Sequence, residues 1–164
     1  MLVQVDEGFR EFAAENGWGG AGDCLGRNLW DFVADSELTK LQRMLLRRVR
    51  AGAGSVDLPF RCDGPDVRRE LDIHIAASQS GRLVRFSARQ RHEEARPHQP
   101  LLDHDAPRGP ETITMCGWCD RFLVEGEWVE VEEAAKRLGL FRRSKMPAIS
   151  HDICPDCSEL LLAA

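Results

Sequence analysis

The residues best placed to do chemistry are four cysteines in two matched pairs. Cys116-Gly117-Trp118-Cys119 and Cys154-Pro155-Asp156-Cys157 each leave a two-residue gap between thiols. That gap lets neighbouring thiolates turn toward one centre, and two such knuckles supply the four soft ligands of a tetrahedral zinc ion. Isolated core cysteines have no reason to arrive in matched pairs. A shared structural zinc on Cys116, Cys119, Cys154 and Cys157 is therefore the expectation, ahead of buried small hydrophobes or disulfides. His151 lies three residues before Cys154. Four thiolates already complete a tetrahedron, which leaves His151 an outer role, donating a hydrogen bond to a thiolate or to the backbone. Trp118 and Trp128 are expected to pack over the knuckle, because so small a module needs apolar area.

Other chemistry fits these residues less well. Thr112-Ile113-Thr114-Met115 followed by Cys-Gly-Trp-Cys imitates a strand entering a redox-active dithiol. A thiol oxidoreductase would, however, leave the second pair idle, and the sequence shows no surrounding βαβ pattern. A zinc deaminase needs its proline before the Cys-x-x-Cys, whereas Pro155 lies inside the pair, and four thiolates leave no position for a water. No nucleophile elbow and no kinase or nucleotide-binding motif occurs, and the glycine-dense loop Gly17–Gly22 matches no phosphate cradle. Cys24 and Cys62 lie far from the pairs and read as free thiols in or near a core.

Charge narrows the partners. The chain carries 27 acidic and 22 basic residues, and residues 101–164 hold 12 and 7 of them, so the whole negative excess lies in the cysteine-bearing part. Four thiolates on one zinc add about two more negative charges. Such a module repels a phosphate backbone, which argues against nucleic acid. The exception to the charge balance is the helix carrying Lys40, Arg43, Arg47, Arg48 and Arg50, whose basic residues are expected to be a solvated face. No apolar run is long enough for a membrane span, and Met1–Glu7 has neither a basic region nor a long apolar stretch, so no signal peptide is expected. The expected compartment is the reducing cytoplasm, where paired cysteines favour metal over disulfide.

The elements that must position the cysteines can be traced in order. Val3 and Val5 alternate with polar residues as in a short strand, and Phe9, Phe12 and Ala13 fall at helical spacing. Asn28–Val33 reads as a short helix. Asp35 or Ser36 can cap the next one, which carries Leu38, Leu41, Leu45 and Val49 on one face and stops at Gly52. Three strands follow by alternation, at Val56–Cys62, Leu71–Ile75 and Val84–Arg89, each with one buried and one wet face. Pro59 points to an edge position or a bulge. His74 alternates onto the wet face, which makes it a poor haem ligand. This order gives an α+β domain whose antiparallel sheet packs helices on one face. Pro97, Pro100, Pro107 and Pro110 mark residues 93–112 as a linker, with Leu101-Leu102 able to pack. In residues 113–164 a strand or turn is expected at Trp128-Val129, a helix over Val131–Leu138 ended by Gly139, a basic loop at Arg142–Lys145 and a closing helix at Ser158–Leu162.

Residues 1–92 resemble a PAS domain, through Val5–Gly17, Gly26-Arg27-Asn28-Leu29-Trp30-Asp31-Phe32 and Pro59–Leu71. Met115–Arg121, Trp128-Val129-Glu130 and Ser150–Cys157 look like a zinc-binding appendage found on small bacterial PAS and response-regulator proteins. The resemblance implies a five-stranded antiparallel sheet with helices on one face, and a short strand at Arg10–Ala13 in place of the helical reading. It also implies a non-enzymatic bacterial sensor or adaptor, with a signalling-protein partner and a homodimer through the sheet face. Arg61-Cys62-Asp63 is not the Asn-Cys-Arg-Phe-Leu run of flavin photoreceptors, so no flavin thiol carries over, and no ligand of the PAS-like part is named. A second expectation is a redox- or metal-responsive switch, in which oxidation of the thiolates expels zinc.

Overall fold

The computed structural model describes residues 1–18, 23–33 and 37–164, with the side chain of Ala53 set aside. Most of the glycine-dense loop and the cap candidates Asp35 and Ser36 lie outside the described residues. The fold is α+β, and the chain forms two compact units, residues 1–35 and 36–164.

In the first unit, α1 spans Glu7–Glu15. Asp6 caps it, its carboxylate accepting from the Phe9 N–H at 2.8 Å. Among the described residues no strand precedes Ser55. The strands expected at Val3–Val5 and Arg10–Ala13 are therefore replaced, the latter by α1. The reason is local: the capping aspartate and the helical spacing of Phe9, Phe12 and Ala13 agree with each other. Trp18 meets both Phe9 and Phe32 edge-on, with ring centroids 5.7 and 5.8 Å apart. Residues 29–31 form one 3-10 turn, closed by a reciprocal Asn28–Asp31 capping box. Cys24 is buried, as expected of a structural thiol.

The second unit opens with α2, Glu37–Arg48. Leu38, Leu41, Leu45, Leu46 and Val49 are buried along one side of it. A three-stranded antiparallel meander follows: β1 Ser55–Arg61, β2 Val67–Ala77 and β3 Val84–Ala95, in that spatial order. The predicted strands are present, with β2 and β3 longer than expected and β1 shifted by one residue, but this sheet has three strands rather than five. β1 is an edge strand, which accommodates Pro59. The alternation of Val84, Phe86 and Ala88 does not mark a buried face, since Phe86 is 45% exposed. His74 is exposed and pairs with Asp57 at 2.8 Å.

The expected linker is more ordered than its prolines suggested. β3 continues to Ala95, and β4, Arg108–Cys116, begins inside it. Pro110 is tolerated because β4 holds two extra residues there: Arg108 faces Met146 and Thr112 faces Ala148. Leu101 is buried in the C-terminal core. The Arg108 guanidinium ties this stretch down by donating to the carbonyls of Leu101, Asp103 and Pro147. Residues 93–112 are thus packed chain, because apolar Leu101 and the donors of Arg108 override the composition.

The C-terminal sheet runs β6-β5-β4-β7, with β5 at Phe122–Val124, β6 at Glu127–Val129 and β7 at Met146–Asp152. Glu125 and Gly126, both at positive φ, make the two-residue turn between β5 and β6. The helix α3, Val131–Arg137, covers the sheet, and α4, Pro155–Ala163, closes the chain against α2. Ile113, Phe122, Val124, Val131, Ala134, Ala135, Leu140 and Met146 form the core with Leu101. β4 and β7 are parallel, with β5, β6 and α3 in the crossover. The sequence did not announce β7.

Candidate metal centre

The parallel alignment of β4 and β7 brings the cysteine pairs together. Two parallel strands end at the same edge of a sheet. β4 finishes at Cys116, opposite Asp152, the last residue of β7. The first knuckle turns immediately after: the Cys116 N–H donates to the Arg121 carbonyl at 2.7 Å and the Asp120 N–H to the Cys116 carbonyl at 3.0 Å. Asp120 takes a left-handed φ of 57° to complete the turn. The second knuckle is the start of α4, with Cys154 at the N-cap and Pro155 in the first turn. Cys157 thus lies in the first turn of a helix, where the helix dipole favours a thiolate.

The four sulfurs lie within 4.8 Å of one another, and those of Cys119 and Cys154 are 3.8 Å apart. All four cysteines are free of disulfides. A tetrahedron with metal–sulfur arms of about 2.3 Å has edges of about 3.8 Å, so the donor set fits a four-thiolate metal ion in both number and spacing. Cys116, Cys154 and Cys157 are buried, and Cys119 is half-buried. The groups also perturb one another. Hydrogen bonds from the Cys119 and Cys157 thiols draw the Cys116 thiol down, and hydrogen bonding to Cys116 and Cys119 pushes the Cys157 thiol up. Four thiols packed this closely cannot all ionise without a compensating positive charge.

Arg121 is the functional residue that the sequence reading passed over. Its Nε donates to the Cys119 sulfur at 3.2 Å and its Nη2 to the Cys154 sulfur at 3.3 Å, bridging the two knuckles. Nη2 also donates to Asp156 at 2.8 Å. The Cys119 hydrogen bond, then Asp156, hold the guanidinium firmly charged. One positive charge thus partly offsets the thiolates. The available signal was a lone basic residue two positions after a knuckle cysteine. The Cys154 N–H also donates to the Cys116 sulfur, at 3.4 Å.

His151 is exposed on β7 and is outside the four-sulfur cluster. Among the described residues Arg121 and the Cys154 N–H donate to these sulfurs and no bond from His151 to them is made; its expected alternative is a bond to the backbone. The chain's single His-x-Glu triplet, His92-Glu93-Glu94, is on β3 and likewise outside the cluster. Cys62 is half-buried, and burial pushes its thiol up to about 11, which suits an inert structural thiol.

The knuckle is seated on the rest of the unit by residues between and beside the ligands. Trp118 is buried and its indole N–H donates to the Pro59 carbonyl at 2.8 Å. Its ring meets Phe60 edge-on at 5.8 Å. Trp128, by contrast, is half-buried on β6, opposite Leu123. Gly117 is a close-approach position, since a Cβ there would lie 2.7 Å from Leu38 Cδ2 of α2. The Asp120 carboxylate accepts from the Asp63 N–H at 2.7 Å, and burial pushes that carboxyl up to about 7. Asp63 is itself buried between Arg61 and Arg96, with the Arg96 contact at 3.2 Å. Arg61 also reaches Glu130 at 2.8 Å, at the start of α3. These groups join the hairpin of β1 and β2 to the module that carries the four cysteines.

No helix among the described residues is long and apolar enough to cross a membrane. No protein-family model, no curated protein and no solved structure matches this chain.

Proposed function

We propose that this chain is a non-enzymatic signalling sensor or adaptor that works by binding, with a structural zinc ion in its C-terminal module. The observation that carries this reading is the cluster of four sulfurs without a disulfide. Four thiolates use every position of a tetrahedral ion, so no site remains for an activated water or a substrate. Zinc is favoured because buried, all-sulfur tetrahedral sites suit a soft-ligand ion without redox chemistry. Arg121 supports the structural role, since hydrogen-bonded and charge-compensated thiolates are poorer nucleophiles.

The binding part of the reading rests on the resemblance of residues 1–92 to PAS domains, of which the antiparallel meander β1–β3 is one component. What is bound is a ligand or another protein; two clefts among the described residues, beside β4–β5 and beside the knuckle, measure about 240 and 210 Å³, below the roughly 300–1,000 Å³ usual for ligand pockets, which supports a protein partner. The acidic module disfavours nucleic acid. A homodimer and a cytoplasmic location belong to the same proposal. Native mass spectrometry tests it: one zinc per chain is expected, and a metal-free chain with a reducible dithiol would overturn it in favour of a thiol oxidoreductase.

One observation favours a second reading, the redox-responsive switch. Cys119 and Cys157 line the cleft beside the knuckle, together with Trp118, Phe60 and Leu160, so a small oxidant has a route to two sulfurs. A peroxide titration with a chromogenic zinc chelator separates the readings. A structural site keeps its zinc at low peroxide, and a switch releases it.

A further inference from the structure

β1 is the edge strand of the three-stranded sheet, so alternate backbone groups along it point away from β2. An open edge of this kind is a template for pairing and is ordinarily covered. The cover here is the first metal knuckle. The Arg61 N–H donates to the Trp118 carbonyl at 3.1 Å, and the Trp118 indole N–H donates to the Pro59 carbonyl at 2.8 Å. Pro59 and Arg61 share a side of the strand by alternation, so one residue closes two successive outward positions. Just beyond, Asp120 accepts from the Asp63 N–H at 2.7 Å. Trp118 lies between Cys116 and Cys119, and Asp120 directly follows Cys119. Every group that seats the knuckle on this edge is therefore within two residues of a sulfur.

From this juxtaposition we infer that the ion on the four cysteines gates the edge of β1: bound, it holds Trp118 and Asp120 against residues 59–63, and its loss frees them. The inference rests on the four-thiolate reading above and adds what that site regulates. Within the knuckle, the turn is closed by two backbone hydrogen bonds, Cys116 to Arg121 and Asp120 to Cys116. A further bond, from the Gly117 N–H to the Asp152 carbonyl at 2.9 Å, anchors the start of the turn, so the stretch left for the ion to hold is Trp118–Asp120. The ion ties that stretch to the start of α4, which itself packs against α2. By linkage, whatever the ion contributes to seating Trp118, the seated Trp118 returns as metal affinity. The freed edge has the backbone pattern that accepts an extended peptide segment as an added strand.

Hydrogen exchange on the whole chain, loaded with zinc and then stripped by a chelator, tests this. The Arg61 and Asp63 amides are expected to exchange slowly when loaded and roughly tenfold or more faster after stripping, while amides of the central strand β2 keep their protection. Trp118→Phe keeps all four thiols and removes the indole donor. It is expected to bind one zinc per chain, to exchange faster at Arg61 by about threefold or more with zinc bound, and to hold zinc more weakly by a similar factor. Unchanged exchange at Arg61 and Asp63 after confirmed zinc loss would overturn the gate and leave the structural-zinc reading standing. Equal loss of protection along β2 would also overturn it, because the unit would then melt as a whole. A chain that binds no zinc at all sinks the parent reading, and the gate with it.

Discussion

In the C-terminal sheet, Ile113, Phe122 and Val124 are buried against α3, Leu140 and Leu101. In the sheet formed by β1, β2 and β3, only Leu58, Leu71 and Ile75 are buried, and β3 is exposed from Arg85 to Ala95. The alternation in sequence is clearest in β1, β2 and β3, yet that sheet is mostly wet, while the sheet containing the unannounced β7 is packed on a core. The packed sheet also carries the four cysteines. Alternation specifies a strand, whereas burial requires another element to cover it. The four cysteines lie where the backbone is already held by a core, so an ion bound there would staple a preformed end.

The largest effect expected from breaking that comparison is at the ligands. Cys116→Ser removes a buried thiolate from the cluster. Zinc content measured by elemental analysis should fall from one per chain toward zero. The thermal transition of the second unit should fall without the unit melting as a whole, since the core around Leu101 and Phe122 is built without the cysteines. Full zinc retention with an unchanged transition would show that the sulfurs do not share an ion. Next come the two phenylalanines that embody the contrast. Phe122→Ala should cost about 3–5 kcal/mol in denaturant unfolding, because it empties a fully buried site.

A smaller effect is expected at the close approach of the knuckle to α2. Gly117→Ala places a Cβ against Leu38, and overpacking of this kind costs about 1–3 kcal/mol. Adding Leu38→Ala should recover little of that stability if the clash is only one part of the Leu38 contact, and most of it if the clash is the whole cost. The double-mutant cycle reads the coupling directly. The smallest effect belongs to Phe86→Ala on β3, expected within about 0.5 kcal/mol of the parent. A loss as large as that of Phe122→Ala would mean that the exposed sheet face is covered in solution, and the contrast between the sheets would collapse.

Much of the fold was legible where the signal is local. The alternation of Val56, Leu58 and Phe60, the leucine stripe of α2, and the helix ended at Gly139 all appear where the residues placed them. Pro59 correctly marked an edge strand. The errors arose where two local signals competed or composition stood in for packing. The strand implied at Arg10–Ala13 lost to the Asp6 cap and helical spacing. The four prolines of residues 93–112 hid the packing of Leu101 and the anchoring by Arg108. At the site, the four cysteines were legible from spacing alone, while Arg121, which touches two of their sulfurs, was not.

By itself, the sequence determined which cysteines can share a centre, because a two-residue gap between cysteines constrains local geometry whatever the surroundings. It also determined most strands and helices, because their periods of two and 3.6 residues are written in consecutive side chains. Only the tertiary structure decided that β7 runs parallel to β4, that Arg121 spans both knuckles and that Trp118 closes the edge of β1. Each of these joins residues more than thirty positions apart in sequence. Contacts at that separation depend on the path of the whole intervening chain, and no short window of sequence records that path.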